Sequence, residues 1–263
     1  MPFNRLSTAK IAKAVGCHPN TVRLYEQWGL ISPVARSPKG YRLYTEAHLD
    51  QMRLGRMALI GAYPGSNIRR SLFAIVRQAA AQDYTGTLNL AHHHQGVVRS
   101  ELDQAEAAVD FLRRWVCGET EADEGQPLQT QQVARLLDVT IDKLRSWERN
   151  GLISIPRSLG NGYRQFRAPE IGRLRVIRFL RQSGYSPMAI LRMLVEFDRS
   201  AGSGTDRIKW TTDALRRALD TPREDEDVYC AADRWISTLT EHERRAGEIL
   251  QLVEEMARKY SQG

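Results

Sequence analysis

Apolar positions along this chain recur at two periods, and the same order of periods occurs twice. Ser7 to Val15 sets Ile11, Ala12 and Val15 at helical spacing, and Gln129 to Leu137 does the same with Val133, Ala134 and Leu137. A break at Gly16-Cys17, or at Asp138-Val139, leads to a second helix. Pro19 suits the first helical position after His18, and Thr140 is a good N-cap. Gly29 and Gly151 stop these helices, in the position where a left-handed residue is usual. Two short helices joined by a tight turn form a helix-turn-helix. Extended segments follow, Ile31 to Arg36 and Ile153 to Arg157, then turns at Lys39-Gly40 and Asn161-Gly162, then Tyr41 to Tyr44 and Tyr163 to Phe166. Asn-Gly is a strong hairpin signal and Lys-Gly a weaker one; either hairpin beside a helix-turn-helix is a wing. Two further helices are predicted in each repeat, Thr45 to Gly61 and Ser66 to Gln82, with counterparts Pro169 to Ser183 and Ser186 to Phe197.

Each repeat then feeds a longer helix. Val98, Leu102, Ala105, Val109, Leu112 and Val116 alternate spacings of four and three, a heptad seam. Leu239, His242, Ala246, Ile249, Val253, Met256 and Tyr260 form the second seam. Thr221-Pro222-Arg223-Glu224 reads as a capping box, which would start that helix at Thr221. Asp206 to Leu219 reads as an additional short helix, and Gly118 to Pro127 as an acidic, glycine-bearing linker. The expected class is mainly α. It comprises a first winged helix-turn-helix (1–82), a long helix (83–117), the linker (118–127), a second winged helix-turn-helix (128–198) and a helical segment carrying the second long helix (199–263).

The repeat is visible without any structural reasoning. A shift of 122 residues places Arg23 on Arg145, Gly40-Tyr41-Arg42 on Gly162-Tyr163-Arg164, and Tyr63 on Tyr185, without a gap. Formal charge is +7, which favours a polyanionic partner. Three cysteines, Cys17, Cys117 and Cys230, are too scattered for a disulfide framework. No apolar run is long enough for a membrane span and the N-terminus has no secretory signal, so a cytoplasmic, nucleoid-associated protein without a membrane partner is expected. There is no glycine-rich phosphate loop, nucleophile elbow or His-Glu-x-x-His, so no enzyme activity and no cofactor are expected.

Thr-Val-Arg-Leu-Tyr-Glu-Gln-Trp-Gly-Leu-Ile (Thr21 to Ile31) followed by Gly-Tyr-Arg-Leu-Tyr (Gly40 to Tyr44) resembles the mercury-resistance-regulator (MerR) family of bacterial transcription factors. Lys143 to Ile153 and Gly162 to Phe166 repeat the resemblance. Where the family favours a Tyr-Tyr pair, the second copy has Ser146-Trp147 and the first has Leu24-Tyr25. The resemblance implies DNA binding by two heads and an antiparallel pair of long helices. It further implies distortion of an overlong promoter spacer, with bacterial RNA polymerase holoenzyme as partner. Because this chain carries both heads and both helices, an intramolecular pseudo-dimer is favoured over a homodimer. Ten linker residues span at most about 33–36 Å, enough for the short crossing that this needs. The other functional reading is an architectural or recombination factor that does not control polymerase.

Base reading calls for side chains at the front of the recognition helix, and backbone contact for cations and donors near phosphates. The facing candidates in copy one are Asn20, Thr21, Arg23 and Tyr25, with Lys39, Tyr41 and Arg42 from the wing. Those in copy two are Asp142, Lys143, Arg145 and Trp147, with Arg157, Asn161, Tyr163 and Arg164. Core packing of the wing is the rival account of Tyr41 and Tyr163. Asn20 is suited to adenine and Asp142 to cytosine, so the half-sites are expected to differ. No metal site is expected. Cys117 and Cys230 could meet at a helix junction as a thiol sensor, although small buried apolar residues are the simpler account. His92-His93-His94 reads as a solvated helix face, and Trp210 and Trp235 as helix packing.

Overall fold

The structure, a computed structural model, describes residues 5–59, 65–119, 126–202, 210–221 and 231–260. In chain order the first repeat carries α1 (Thr8–Ala14), α2 (Pro19–Gln27), β1 (Ala35–Arg36), β2 (Arg42–Leu43), α3 (Glu46–Leu59), α4 (Gly65–Ala80) and the long α5 (Tyr84–Val116). The second carries α6 (Thr130–Leu136), α7 (Ile141–Arg149), α8 (Ala168–Gln182), α9 (Pro187–Gly202), α10 (Thr212–Asp220) and the long α11 (Trp235–Tyr260). The fold is mainly helical, with two long helices in contact. Two compact units result: Met1–Ser100 with Thr240–Gly263, and Glu101–Leu239.

In the first unit, Ser7 Oγ caps α1 by accepting from Lys10 N (3.3 Å), and His18 Nδ1 caps α2 by accepting from Asn20 N (3.2 Å). Gly29, at φ +66°, ends α2 and lets Leu30 N donate back to Tyr25 O (2.8 Å). Ile11, Val22, Leu30, Ile31, Met52, Leu54 and Ile68 fill the core between α1–α4. Buried Gln51 of α3 ties the layers: its Oε1 accepts from Ser32 N (2.8 Å), and its Nε2 donates to Ala79 O (2.8 Å). Asp50, beside it, accepts from Tyr260 Oη (2.9 Å) and pairs with Lys259 Nζ (3.3 Å) at the end of α11. The Tyr84 and Tyr260 rings meet tilted by 37° with centroids 5.2 Å apart, and Arg99 pairs with Glu243 at 2.8 Å.

The second unit repeats the head on a different anchor. Thr140 Oγ1 caps α7 by accepting from Lys143 N (3.2 Å), and Gly151 (φ +74°) ends it. Phe111 meets Phe179, and Trp115 meets Phe197, each at 5.1 Å between centroids. Trp115 also lies over Gly172 of α8, where a Cβ would come within 2.9 Å of its indole nitrogen. Tyr185 Oη donates to Ala105 O (3.1 Å), and Trp235 Nε1 to Ser183 O (2.6 Å). Buried Arg192 closes the end of α10, donating to Ala218 O (3.0 Å), Leu219 O (2.8 Å) and Asp233 O (3.0 Å).

The seam residues Val98 to Val116 and Leu239 to Met256 named above are all buried. Three expectations need correction. The Lys-Gly wing forms paired strands, with Ala35 opposite Leu43 and Arg36 opposite Arg42, whereas the Asn-Gly wing keeps only the bridge Arg157–Arg164. Pro156 precedes that bridge and cannot donate to a ladder. The bridge also shows that the repeat has no constant shift: Arg157 takes the place of Arg36, one residue out of step, and the second loop is one residue longer. Finally, α11 does not start at Thr221. That residue is the extended C-cap of α10, and a 3₁₀ turn at Ala231–Arg234 precedes α11. The rest of the expected capping box, like Tyr63 and the linker core 120–125, lies outside the described residues.

Candidate nucleic-acid interface

The recognition helices α2 and α7 are amphipathic, and their apolar residues three apart fix which side faces inward. Val22 and Tyr25 are buried in one, Leu144 and Trp147 in the other. Asn20 and Arg23 are exposed, as are Asp142, Lys143 and Arg145, while Thr21 is half-buried. Tyr25 and Trp147 are thus corrected: their rings belong to the head's core, not its outer face. The Tyr25 ring lies so close to α3 that a Cβ on Gly55 would come within 2.7 Å of it. With those rings inside, Leu24 and Gln27 join the outward stripe of α2, and Ser146 and Arg149 that of α7. Sequence reasoning missed these four, although the three-residue apolar spacing was a signal for them.

Each wing is stapled to its recognition helix by the same ion pair. Arg42 Nε reaches Glu26 at 2.5 Å, and Arg164 Nη2 reaches Glu148 at 2.7 Å. The hydrogen bond that Arg42 donates to the Glu26 carboxylate holds its guanidinium above its ordinary pKa. Both arginines keep about a quarter of their side chain exposed, enough for a further contact on the outer side. Lys39 and Asn161 stand exposed at the wing tips. Tyr41 and Tyr163 are 72% and 66% exposed, so core packing does not account for them. Arg36 and Arg157 occupy equivalent places, each donating to the turn glycine's carbonyl, Gly40 at 3.4 Å and Gly162 at 3.3 Å. Arg36 was missed because the gap-free shift set Arg157 on Ala35; the Arg-Ser pairs 36–37 and 157–158 were the available signal.

In each head these side chains border an open basic cleft. The first, about 830 Å³, is lined by Arg23, Arg42 and, from α4, Arg77. Arg77 too was missed, though Arg199 matches it in register. The second cleft, about 370 Å³, is lined by Arg145, Arg157, Arg164 and Tyr163. Three guanidiniums converging on one opening suit the regularly spaced negative charges of a nucleic-acid backbone. The recognition arginines differ in company. Arg23 donates to the Asn20 amide oxygen at 3.3 Å, whereas Arg145 pairs with the Asp142 carboxylate at 3.5 Å.

The remaining candidates fall away from these surfaces. Cys117 is exposed and free, and Cys230 lies outside the described residues. Among the described residues no group of three or more His, Cys, Asp or Glu side chains could hold a metal, and no helix is long and apolar enough to cross a membrane. His92 and His93 are exposed, but His94 is buried, which corrects the reading of all three as a solvated face. It extends the seam inward from Val98, and its Nδ1 lies 2.7 Å from Ser71 Oγ. Burial, and then the neighbouring His242 and His93, push its pKa down to about 4. Trp210 and Trp235 are both buried in helix packing.

A family model described as MerR HTH family regulatory protein matches residues 6–72 and again 128–196, together just over half of the chain. The chain is similar to the HTH-type transcriptional regulator CueR of Escherichia coli, 40% identical over 53 residues, 20% of this chain and 39% of that protein. It is 48% identical over 42 residues to the ZntR homolog of Haemophilus influenzae, 16% of this chain and 31% of that protein. A probable heavy metal-dependent transcriptional regulator of H. influenzae matches over 115 residues at 29% identity, 42% of this chain and 84% of that protein. The chain thus spans about two fifths of the length of the CueR proteins it matches. No solved structure gives a significant match.

Proposed function

Because the chain belongs to the MerR HTH family of regulatory proteins, we propose that it is a sequence-specific DNA-binding transcriptional regulator whose two heads engage the two half-sites of one promoter operator. The observation that carries this is the twice-built unit of recognition helix and wing, with the same Glu–Arg staple and an exposed arginine cluster in each copy. Arg23, Lys39, Tyr41 and Arg42, with Lys143, Arg145, Arg157, Asn161, Tyr163 and Arg164, take the phosphate backbone. Asn20, Thr21 and Asp142 approach base edges, while Tyr25 and Trp147 hold the recognition helices in place from behind.

In this reading, residues 1–82 and 128–198 are the DNA-binding heads, 83–117 and the helical part of 199–263 couple them, and 118–127 links the halves. The long helices pair antiparallel within one chain, making a pseudo-dimer. Two contacts support that direction: Tyr84 with Tyr260, and Arg99 with Glu243, pairs whose numbers run in opposite senses. The pseudo-dimer distorts the promoter spacer so that bacterial RNA polymerase engages both promoter elements. Such deformation costs on the order of 1–6 kcal/mol, offset by contacts from both heads.

The test is footprinting of the full chain on promoter fragments it selects, with the mass of the free protein and of the complex, and transcription from templates of altered spacer length. One chain per operator, affinity falling with salt and spacer-dependent transcription are expected. Spacer-independent transcription would leave an architectural DNA-binding factor, and two chains per operator a homodimer.

A further inference from the structure

We infer that the two heads read different bases, the first an A·T-containing half-site through Asn20 and Leu24, the second a half-site with cytosine through Asp142; this rests on the DNA-binding reading above. The outward stripes decide it. With Tyr25 and Trp147 in the core, and with the half-buried Thr21 and the cations Arg23, Lys143 and Arg145 assigned above, the outward side chains that set the heads apart are Asn20, Leu24 and Gln27 in one, and Asp142, Ser146 and Arg149 in the other. The first two of each set are four residues apart, one helical turn, and stand over neighbouring positions on the same face.

The chemistry of these pairs differs in kind. The Asn20 amide presents one acceptor and two donors, the pattern that meets adenine N6 and N7. Its Oδ1 already accepts from Arg23, but a second lone pair remains, so the bond positions the amide without using it up. Leu24 is 38% exposed on a helix whose other large apolar side chains, Val22 and Tyr25, are buried. An apolar group in that place meets the thymine methyl. The Asp142 side chain, 91% exposed, can only accept. It suits the cytosine N4 amino group and is repelled by the acceptor pair of guanine. Its neighbour Ser146 is tolerant, with no apolar surface to favour thymine. Arg145 lies 3.5 Å from the carboxylate and offsets its charge, so a negative side chain is tolerated at a phosphate-facing helix front.

The experiment is selection of the full-length chain against a random duplex library, followed by two exchange variants. Asn20→Asp with Leu24→Ser gives the first head the second head's chemistry; Asp142→Asn with Ser146→Leu does the reverse. All four positions are at least partly exposed, so the folds should hold, and circular dichroism checks this. The wild type should select an asymmetric site, and each exchange a more symmetric one. Inverting one half-site should weaken wild-type binding roughly 5- to 150-fold for each base pair mismatched. Identical half-sites for the wild type, or exchanges that leave both halves unchanged, would overturn the inference while leaving DNA binding intact. A chain that binds no duplex at all overturns the reading on which it rests.

Discussion

The same head is held to the long helices by different chemistry in the two units. In both, one position on the third helix of the head receives the C-terminal end of a long helix, and that position is Asp50 in one and Gly172 in the other. Asp50 takes the Tyr260 hydroxyl and the Lys259 ammonium; Gly172 makes room for the Trp115 indole. The first anchor is mainly polar, with the Tyr84–Tyr260 ring contact beside it, and is reinforced by Gln51 and by the buried His94 with Ser71. The second is aromatic, built from Phe111, Trp115, Phe179, Phe197 and Trp235, with one buried guanidinium, Arg192. Polar anchors depend on direction and charge; aromatic ones depend on area and shape. Duplication copied the head but left each anchor to be made separately, so the units should answer differently to pH and substitution.

The contrast can be broken most severely in the second unit. Arg192→Leu leaves three carbonyls at the α10 end and the 3₁₀ turn without their donor, and should cost about 3–5 kcal/mol. Calorimetry should show a transition assigned to Glu101–Leu239 moving down while the other stays. Acid should act on the other side. Below its ordinary pKa of 6.5, His94 of the unfolded chain takes up a proton that the folded chain refuses until about pH 4. Its contribution is full above about pH 6.5 and is lost as pH falls through that window, at most about 3 kcal/mol. Denaturant midpoints against pH should show this for the wild type, and a flatter profile for His94→Gln. Tyr260→Phe removes one hydrogen bond to a buried carboxylate and should cost about 1–2 kcal/mol, felt only in the first unit by hydrogen exchange. The smallest effect sharpens the comparison at the DNA. Asp142→Asn should tighten binding to non-specific duplex several-fold by releasing Arg145, whereas Asn20→Asp should weaken it by a similar factor; salt-dependent anisotropy measures both.

Periodicity carried most of the architecture. The seams from Val98 to Val116 and from Leu239 to Met256, and the glycines that stop α2 and α7, were legible because helical spacing and left-handed backbone leave local traces. The interface was legible as positions on a motif but not as directions. Tyr25 and Trp147 were expected outside, although their spacing from Val22 and Leu144 already put them in the core. The second wing was misread for another reason. Gly162-Tyr163-Arg164 is in register with its twin, and that identity concealed the one-residue slip on the opposite strand at Arg157. The anchors at Asp50 and Gly172 were illegible, since each joins residues far apart in sequence and neither partner has a repeated counterpart.

The first unit holds a segment from each end of the numbering, and Asp50 meets Tyr260 across 210 residues. Synthesis from the N-terminus at about 5–20 residues per second places roughly 10–40 s between those two side chains. During that interval the earlier head has its own local helices but lacks the strand of contacts that α11 supplies. The second unit, drawn from one continuous stretch, is complete sooner. The head made first is therefore the one finished last, and its long-range closure is the step at which a slow, high-contact-order phase of folding should arise.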